Sequence, residues 1–270
     1  MALSIVDLTI TLGSAEIVRH VSLRVDQEER VGLIGASGSG KSMIIKAILG
    51  LLPPQAHASG RIELDGVDLL TLPDKKMARL RGTYLGAVFQ NPITALNPVA
   101  TVERNILLPT KLHASSGRRL TAAERERKAA QALESVGLPP ALADRYPGQL
   151  SGGQAQRVAI AEALVNEPRL ILTDEPTTAL DALAQREIVD LLTREVARLR
   201  ASLLFVTHDF ALLSRIAHRC YVIDQGRLVE EGACQGILEN PQEDVTRHLV
   251  ESARALSLRK DSERGPHEHE

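Results

Sequence analysis

Residues 30–42, RVGLIGASGSGKS, constrain the fold of this chain more than any other stretch. RVGLIG (30–35) is a short apolar run that reads as a buried strand entering a glycine-rich turn. Gly35-Ala36-Ser37-Gly38-Ser39-Gly40-Lys41-Ser42 matches G-x-x-x-x-G-K-[ST], and KSMIIKAILG after it reads as a helix. The glycines let the backbone curl until successive N–H groups face a phosphate. Lys41 adds positive charge near the β/γ-phosphates, and the Ser42 hydroxyl can ligate Mg2+. Strand, phosphate loop and helix in that order predict an α/β sheet with a nucleotide at the end of a strand.

The other apolar runs fit such a sheet. LGAVFQ (85–90), RLILTD (169–174), SLLFVTH (202–208) and RCYVID (219–224) read as further strands. Helical stretches separate most of them, which argues for a mainly parallel core. Residues 3–12, VSLRV (21–25) and RIELDGVDL (61–69, near an Asp65-Gly66 turn) alternate instead and suggest an antiparallel β region.

Residues from about 91 to 165 read as a mostly helical insertion. There Thr121 and Glu124 form a capping-box pattern, Leu120 is a staple, Leu133 and Val136 give an apolar side, and Gly137 is a stop. Along 181–200, Leu183, Ile188, Leu191, Leu192, Val196 and Leu199 form one helical stripe, read as core packing. The ATPase unit is expected over 3–250. Residues 251–270 form a polar tail, expected to be disordered, that ends His267-Glu268-His269-Glu270.

Composition removes several function classes. Lys and Arg number 32 against 34 Asp and Glu, a net charge of -2, so no basic field holds a nucleic-acid backbone. Aromatic residues are 2% and Trp is absent, which disfavours base stacking. Cys220 and Cys234 read as free thiols rather than a disulfide framework. The N-terminus has no secretory pattern, and no apolar run reaches the roughly 18 residues of a membrane span. The longest candidate, MIIKAILGLLPP, is cut by Lys46 and stopped by Pro53.

More residues carry chemistry. LILTDE (170–175) is a buried strand ending in acids. Asp174 can hold the water shell of Mg2+, and Glu175 can polarise a water that attacks the γ-phosphate. His208, ending an apolar run, sits where ligands bind in open sheets and could hydrogen-bond a γ-phosphate. Gln90 is placed alike, with an amide able to contact Mg2+ or water. LSGGQ (150–154) looks like a loop opening directly into a helix, a second start able to face an anion.

In this order the segments resemble the ATP-binding subunits of ABC transporters. GASGSGKS corresponds to the phosphate loop and Gln90 to the Q-loop. LSGGQ is similar to the signature, LILTDE to Walker B, Ala179-Leu180-Asp181 to the D-loop, and His208 to the switch histidine. The resemblance covers about residues 3–250 and implies a P-loop NTPase (RecA-like) core. It implies ATP and Mg2+ as ligands and a head-to-tail dimer with a second ATPase subunit, identical or paralogous. Ser151, Gly152, Gly153 and Gln154 would then act in trans, with Asp181 at the interface. Integral membrane permeases and, indirectly, a substrate-binding protein are the other implied partners, with the chain peripheral on the cytoplasmic face of the cell (inner) membrane. Two positions depart from the family pattern: Leu12 stands where an aromatic usually stacks on adenine, and Thr173 interrupts an apolar strand. Thr173 is expected to face a helix and hydrogen-bond locally.

Within transporters, VFQNPITALNPVATV (88–102), EPTTALD (175–181) and VIDQGRLVEEG (222–232) resemble the peptide/nickel importer branch. ENPQEDVTRHLVESA lacks the H-P-Y of peptide-branch subunits. With the short tail, this is similar to the nickel-import subunit, so nickel import is the expectation. Imidazoles of the His-Glu tail suit that ion. Di- or oligopeptide import is the alternative, followed by a cytosolic ABC ATPase outside transport.

Overall fold

The computed structural model describes residues 2–112, 120–178 and 180–263. Two sheets share the molecule. The first is antiparallel and contains β1 (Leu3–Leu12), β2 (Ala15–Val25), β4 (Ala56–Leu64) and β5 (Val67–Asp68), in the order β2-β1-β4-β5. The second contains β3 (Arg30–Ile34), β6 (Leu85–Val88), β7 (Leu170–Asp174), β8 (Ser202–Thr207), β9 (Arg219–Asp224) and β10 (Arg227–Ala233). Its order is β10-β9-β3-β8-β7-β6, parallel except for the β9–β10 hairpin. This is the α/β P-loop NTPase core with an antiparallel β region that the motifs predicted.

Period-two alternation divides the core into two layers. Leu33, Leu172, Leu204 and Val206 face the antiparallel sheet and α1 (Lys41–Ile48), meeting Ile5, Ile10, Ile44 and Ile48. Their neighbours Ile34, Ile171, Leu203 and Phe205 face the opposite side and pack with helices further along the chain. Both faces of the parallel strands are therefore dry, which is why those strands read as continuous apolar runs.

After α2 (Asp74–Thr83), residues 92–164 hold α3 (Pro92–Ala95), α4 (Val102–Ile106), α5 (Leu108–Leu112), α6 (Ala122–Ser135) and α7 (Gly152–Leu164). The Thr121–Glu124 capping box forms at α6, and Leu133 and Val136 are fully buried. The remaining helices are α8 (Ala182–Leu199), α9 (Phe210–Ile216), α10 (Cys234–Glu239) and α11 (Asp244–Glu263).

Several expectations change. The 61–69 strand is a hairpin. Asp65 (φ 44°) and Gly66 (φ 84°) make the turn between β4 and β5, the left-handed pair that two-residue hairpins need. β4 starts five residues earlier than its apolar pattern, because pairing with β1 out to Leu12–Ala56 holds Ala56–Gly60 in the sheet. Leu183 is 69% exposed and leaves the stripe of α8. Five residues before Ile188, it points about 140° away at 100° per residue. α11 continues through 251–263, where a polar tail was expected, and Val250 and Ala253 of its first half are buried. The final His-Glu residues lie outside the described residues. Thr173 lies between Val88 and Phe205 in the sheet, and its hydroxyl is buried without the expected hydrogen-bond partner among the described residues.

Candidate nucleotide-binding site

The carboxyl ends of four adjacent strands, β3, β8, β7 and β6, build one edge of the parallel sheet. The loop Gly35–Gly40 leaves β3 there and enters α1 at Lys41. Asp174 ends β7, Glu175 follows it, His208 follows β8, and exposed Gln90 lies two residues past β6. The topology thus gathers residues spread over more than 170 positions.

Sterics set the loop. Gly40 caps α1 at φ 104°, and a Cβ there would stand 2.9 Å from the Ile17 carbonyl oxygen. A Cβ on Gly35 would stand 2.1 Å from the Ile223 carbonyl oxygen. Only glycine fits at either place. Ala36, Ser37 and Gly38 are exposed at the crest. Ser39 is buried, and its Oγ has no partner among the described residues. An orphaned buried hydroxyl beside exposed loop amides fits an anion that would complete its bonding.

Lys41 is only 4% exposed. Its Nζ donates to the carbonyls of Gly35 and Ala36, each at 2.8 Å, and lies 3.6 Å from Glu175 Oε1. Burial pulls its pKa below the ordinary lysine value, against the opposing pull of Glu175 and Asp174. Ser42 Oγ donates to Asp174 Oδ1 at 2.9 Å. Burial raises the Asp174 pKa, so a cation beside that carboxylate would favour its charged form. Among the described residues no three acidic, His or Cys groups form a metal cage. One hydroxyl and one carboxylate instead match Mg2+, which keeps waters and binds through one or two carboxylates plus substrate phosphates.

Glu175 sits at φ 48°, in the left-handed region a non-glycine residue occupies at a cost. Its N–H donates to the Val206 carbonyl at 3.0 Å, tying it to β8. Oε2 lies 3.1 Å from His208 Nδ1 and accepts from Thr178 Oγ1 at 3.1 Å. Thr178 was not anticipated. Its signal was the Glu-x-x-Thr spacing, within reach of a turn-type side-chain bond.

LSGGQ occupies a different part of the molecule. Ser151 caps α7: its Oγ accepts from Gln154 N at 3.2 Å, while Gln154 Oε1 accepts from Ser151 N at 3.0 Å. Asp181 caps α8 through the N–H groups of Leu183 and Ala184, both at 3.0 Å. Ala179 lies outside the described residues. Among the described residues no hydrogen bond or ion pair joins Ser151–Gln154 or Asp181 to the phosphate loop. Leu12 is 40% exposed and available for apolar contact.

Fold and site together define an ATP-binding cassette. The family described as ABC transporter matches residues 18–178, and the chain belongs to that family. Relatives sharpen the placement. The chain is 41% identical over 256 residues to the peptidoglycan transport ATP-binding protein YejF of Agrobacterium fabrum, covering 92% of this chain and 46% of that protein. It is 39% identical over 238 residues to the dipeptide transport ATP-binding protein DppD of Haemophilus influenzae, covering 87% of this chain and 71% of that one. The chain thus spans less than half of the first relative. Among solved structures, the dimeric post-hydrolysis state of the ATP-binding cassette MJ0796 bound to ADP and Pi superposes with a TM-score of 0.76. Identity is 30%, with 86% of this chain and 98% of that one covered.

The DppD name favours the peptide alternative, and neither relative's name carries nickel. The nickel expectation rested on the missing H-P-Y and the short tail, outside the nucleotide site, and the names of these relatives do not support it. No helix among the described residues is long and apolar enough to cross a membrane.

Proposed function

We propose that this chain is the ATP-hydrolysing subunit of an ABC importer for di- or oligopeptides. The observation that carries this reading is Glu175, fixed at one sheet edge between Lys41, His208 and Thr178 beside the phosphate loop. The backbone amides of Gly35–Ser42 receive the ATP phosphates, and Lys41 brings its charge to the β/γ oxygens. Ser42, Asp174 and Gln90 are the residues to hold Mg2+, which neutralises developing phosphate charge when bound. Glu175 orients and polarises the attacking water, and His208 holds the second carboxylate oxygen while facing the γ-phosphate.

Ser151, Gly152 and Gly153 act on a nucleotide held by a second cassette, identical or paralogous, with Gln154 and Asp181 supporting that head-to-tail interface. The separation of LSGGQ from the phosphate loop within one chain supports this, as does the dimeric MJ0796 cassette bound to ADP and Pi. ATP closes the dimer and hydrolysis releases it. Integral permeases then convert that population shift into alternating access. The chain works peripherally on the cytoplasmic face of the membrane through these permeases. The name of its DppD relative supports peptides as cargo.

The test uses cassette, permeases and binding protein reconstituted in vesicles. Peptide-loaded binding protein is expected to stimulate ATP hydrolysis. Glu175→Gln is expected to bind ATP with unchanged affinity and hydrolyse it at least about 100-fold more slowly. Wild-type turnover in that variant would refute the role of Glu175, and stimulation by nickel instead of peptide would refute the cargo.

A further inference from the structure

The phosphate loop has a second support, far along the chain, that the proposed mechanism leaves unused. When loop N–H groups face an anion, their carbonyls face the protein and need donors there. Lys41 Nζ satisfies the carbonyls of Gly35 and Ala36. The Ser39 carbonyl is satisfied by the N–H of Gly226, at 3.1 Å, in the turn of the β9–β10 hairpin. The Gly226 carbonyl in turn accepts from Arg19 N at 2.7 Å, on β2.

We propose that Gly226 is a positioning residue for nucleotide binding, acting through the Ser39–Gly40 peptide. That peptide is planar, so its carbonyl and its N–H point in opposite directions along one rigid unit. Holding the Ser39 oxygen from one side aims the Gly40 N–H to the other, toward the phosphates. The Gly40 N–H has no partner among the described residues.

The fit at this junction is close. Gly226 has φ 82°, and a Cβ on it would stand 2.5 Å from the Ile17 carbonyl oxygen. That same oxygen faces Gly40 at 2.9 Å from its would-be Cβ. Gly226 and Gly40 therefore pack on one backbone atom of β2. A side chain at 226 must push the hairpin turn away from Ser39 or push β2 away from the loop. Either movement rotates the Ser39–Gly40 peptide. The requirement for glycine at 226 is thus tied to nucleotide geometry as well as to the turn.

This inference rests on the phosphate loop binding nucleotide, and the experiment separates the two. Calorimetry with Mg-ATP on the wild-type chain tests binding itself, and absent binding overturns both readings. Gly226→Ala is expected to raise the Kd and KM for ATP roughly tenfold or more, with kcat at saturation within about twofold. Gly66→Ala is the control. It has φ 84° in another turn, with no atom within 4 Å of its would-be Cβ. It is expected to lower Tm and leave the ATP affinity unchanged. Equal affinities for wild type and Gly226→Ala would overturn the proposal, because a purely structural glycine would move Tm alone. If Gly226→Ala does not fold, hydrogen exchange on the wild type decides. ADP is expected to slow exchange at 225–227 together with 35–42, and protection confined to 35–42 would overturn the proposal.

Discussion

Two helix starts, those of α1 and α7, both look ready for an anion, yet they are built differently. α1 has no side-chain cap; its N-cap is Gly40 in the left-handed region. The carbonyls behind its loop are held by Lys41 and Gly226, leaving the first amides open. α7 is closed by its own capping box, in which Ser151 and Gln154 satisfy each other's backbone N–H groups. One start is an open loop braced from behind by the rest of the fold. The other is a self-sufficient helix end that presents only its glycine amides and dipole.

The two helices also carry buried charge differently. Lys41 on α1 has carbonyl and carboxylate partners within 3.6 Å. Glu162 on α7 lines a cleft of about 240 Å³ with Leu49, Phe89 and Pro109. No hydrogen bond or ion pair engages it among the described residues, and burial pushes its pKa up to about 7. A compensated charge marks the site, and an uncompensated one marks a surface where the chain gives up stability.

The largest effect that sharpens this contrast is expected at α1. Lys41→Met removes the loop's internal brace and its charge together. ATP affinity measured by calorimetry should fall about 100-fold or more. A Kd near wild type would mean the backbone amides suffice and the two starts are equivalent. Ser151→Arg at α7 should act the other way. Nucleotide binding by the isolated subunit should persist, while steady-state hydrolysis falls at least about 100-fold through loss of dimer closure. Loss of binding in that variant would place LSGGQ on its own chain's nucleotide.

The smallest effect concerns Glu162. Its folded pKa lies above the ordinary 4.5. Below pH 4.5 both folded and unfolded chains hold the proton, so no penalty exists. From pH 4.5 to about 7 the unfolded chain releases the proton first, and stability falls with rising pH. Glu162→Gln should remove that penalty, worth on the order of 1–3 kcal/mol above pH 7. The Tm gap between variant and wild type should widen from pH 5 to pH 8. A gap independent of pH would show that Glu162 is already paired.

Much of this was legible in the chain. The glycine loop, LILTDE and His208 stand out because buried parallel strands are apolar throughout and stop abruptly at polar residues. The capping box at Thr121 was readable because it depends on residues three apart, whereas the box that Ser151 and Gln154 form at the same spacing was not anticipated. β10 was harder. Arg227–Ala233 carries Glu230 and Glu231 at the sheet edge, so its pattern is set by one neighbour rather than by a core. The first half of β4 was hidden for the same reason. Leu183 misled because its apolar type fits the stripe while its angle, about 140° from Ile188, does not.

Sequence alone determined the chemistry of the site, since loop curvature, charge and carboxylates are properties of residue type and short spacing. It also determined the fold class, because buried strands and helices leave opposite periodicities. Tertiary structure alone decided which distant residues share an atom-scale contact. Nothing local relates Gly226 to Ser39, Ile17 to Gly40, or His208 to the Glu175 carboxylate. Those pairings follow from strand order, with β3 between β9 and β8 and the β1–β2 hairpin laid across the phosphate loop. Strand order is settled by long-range packing, which short-range patterns do not encode.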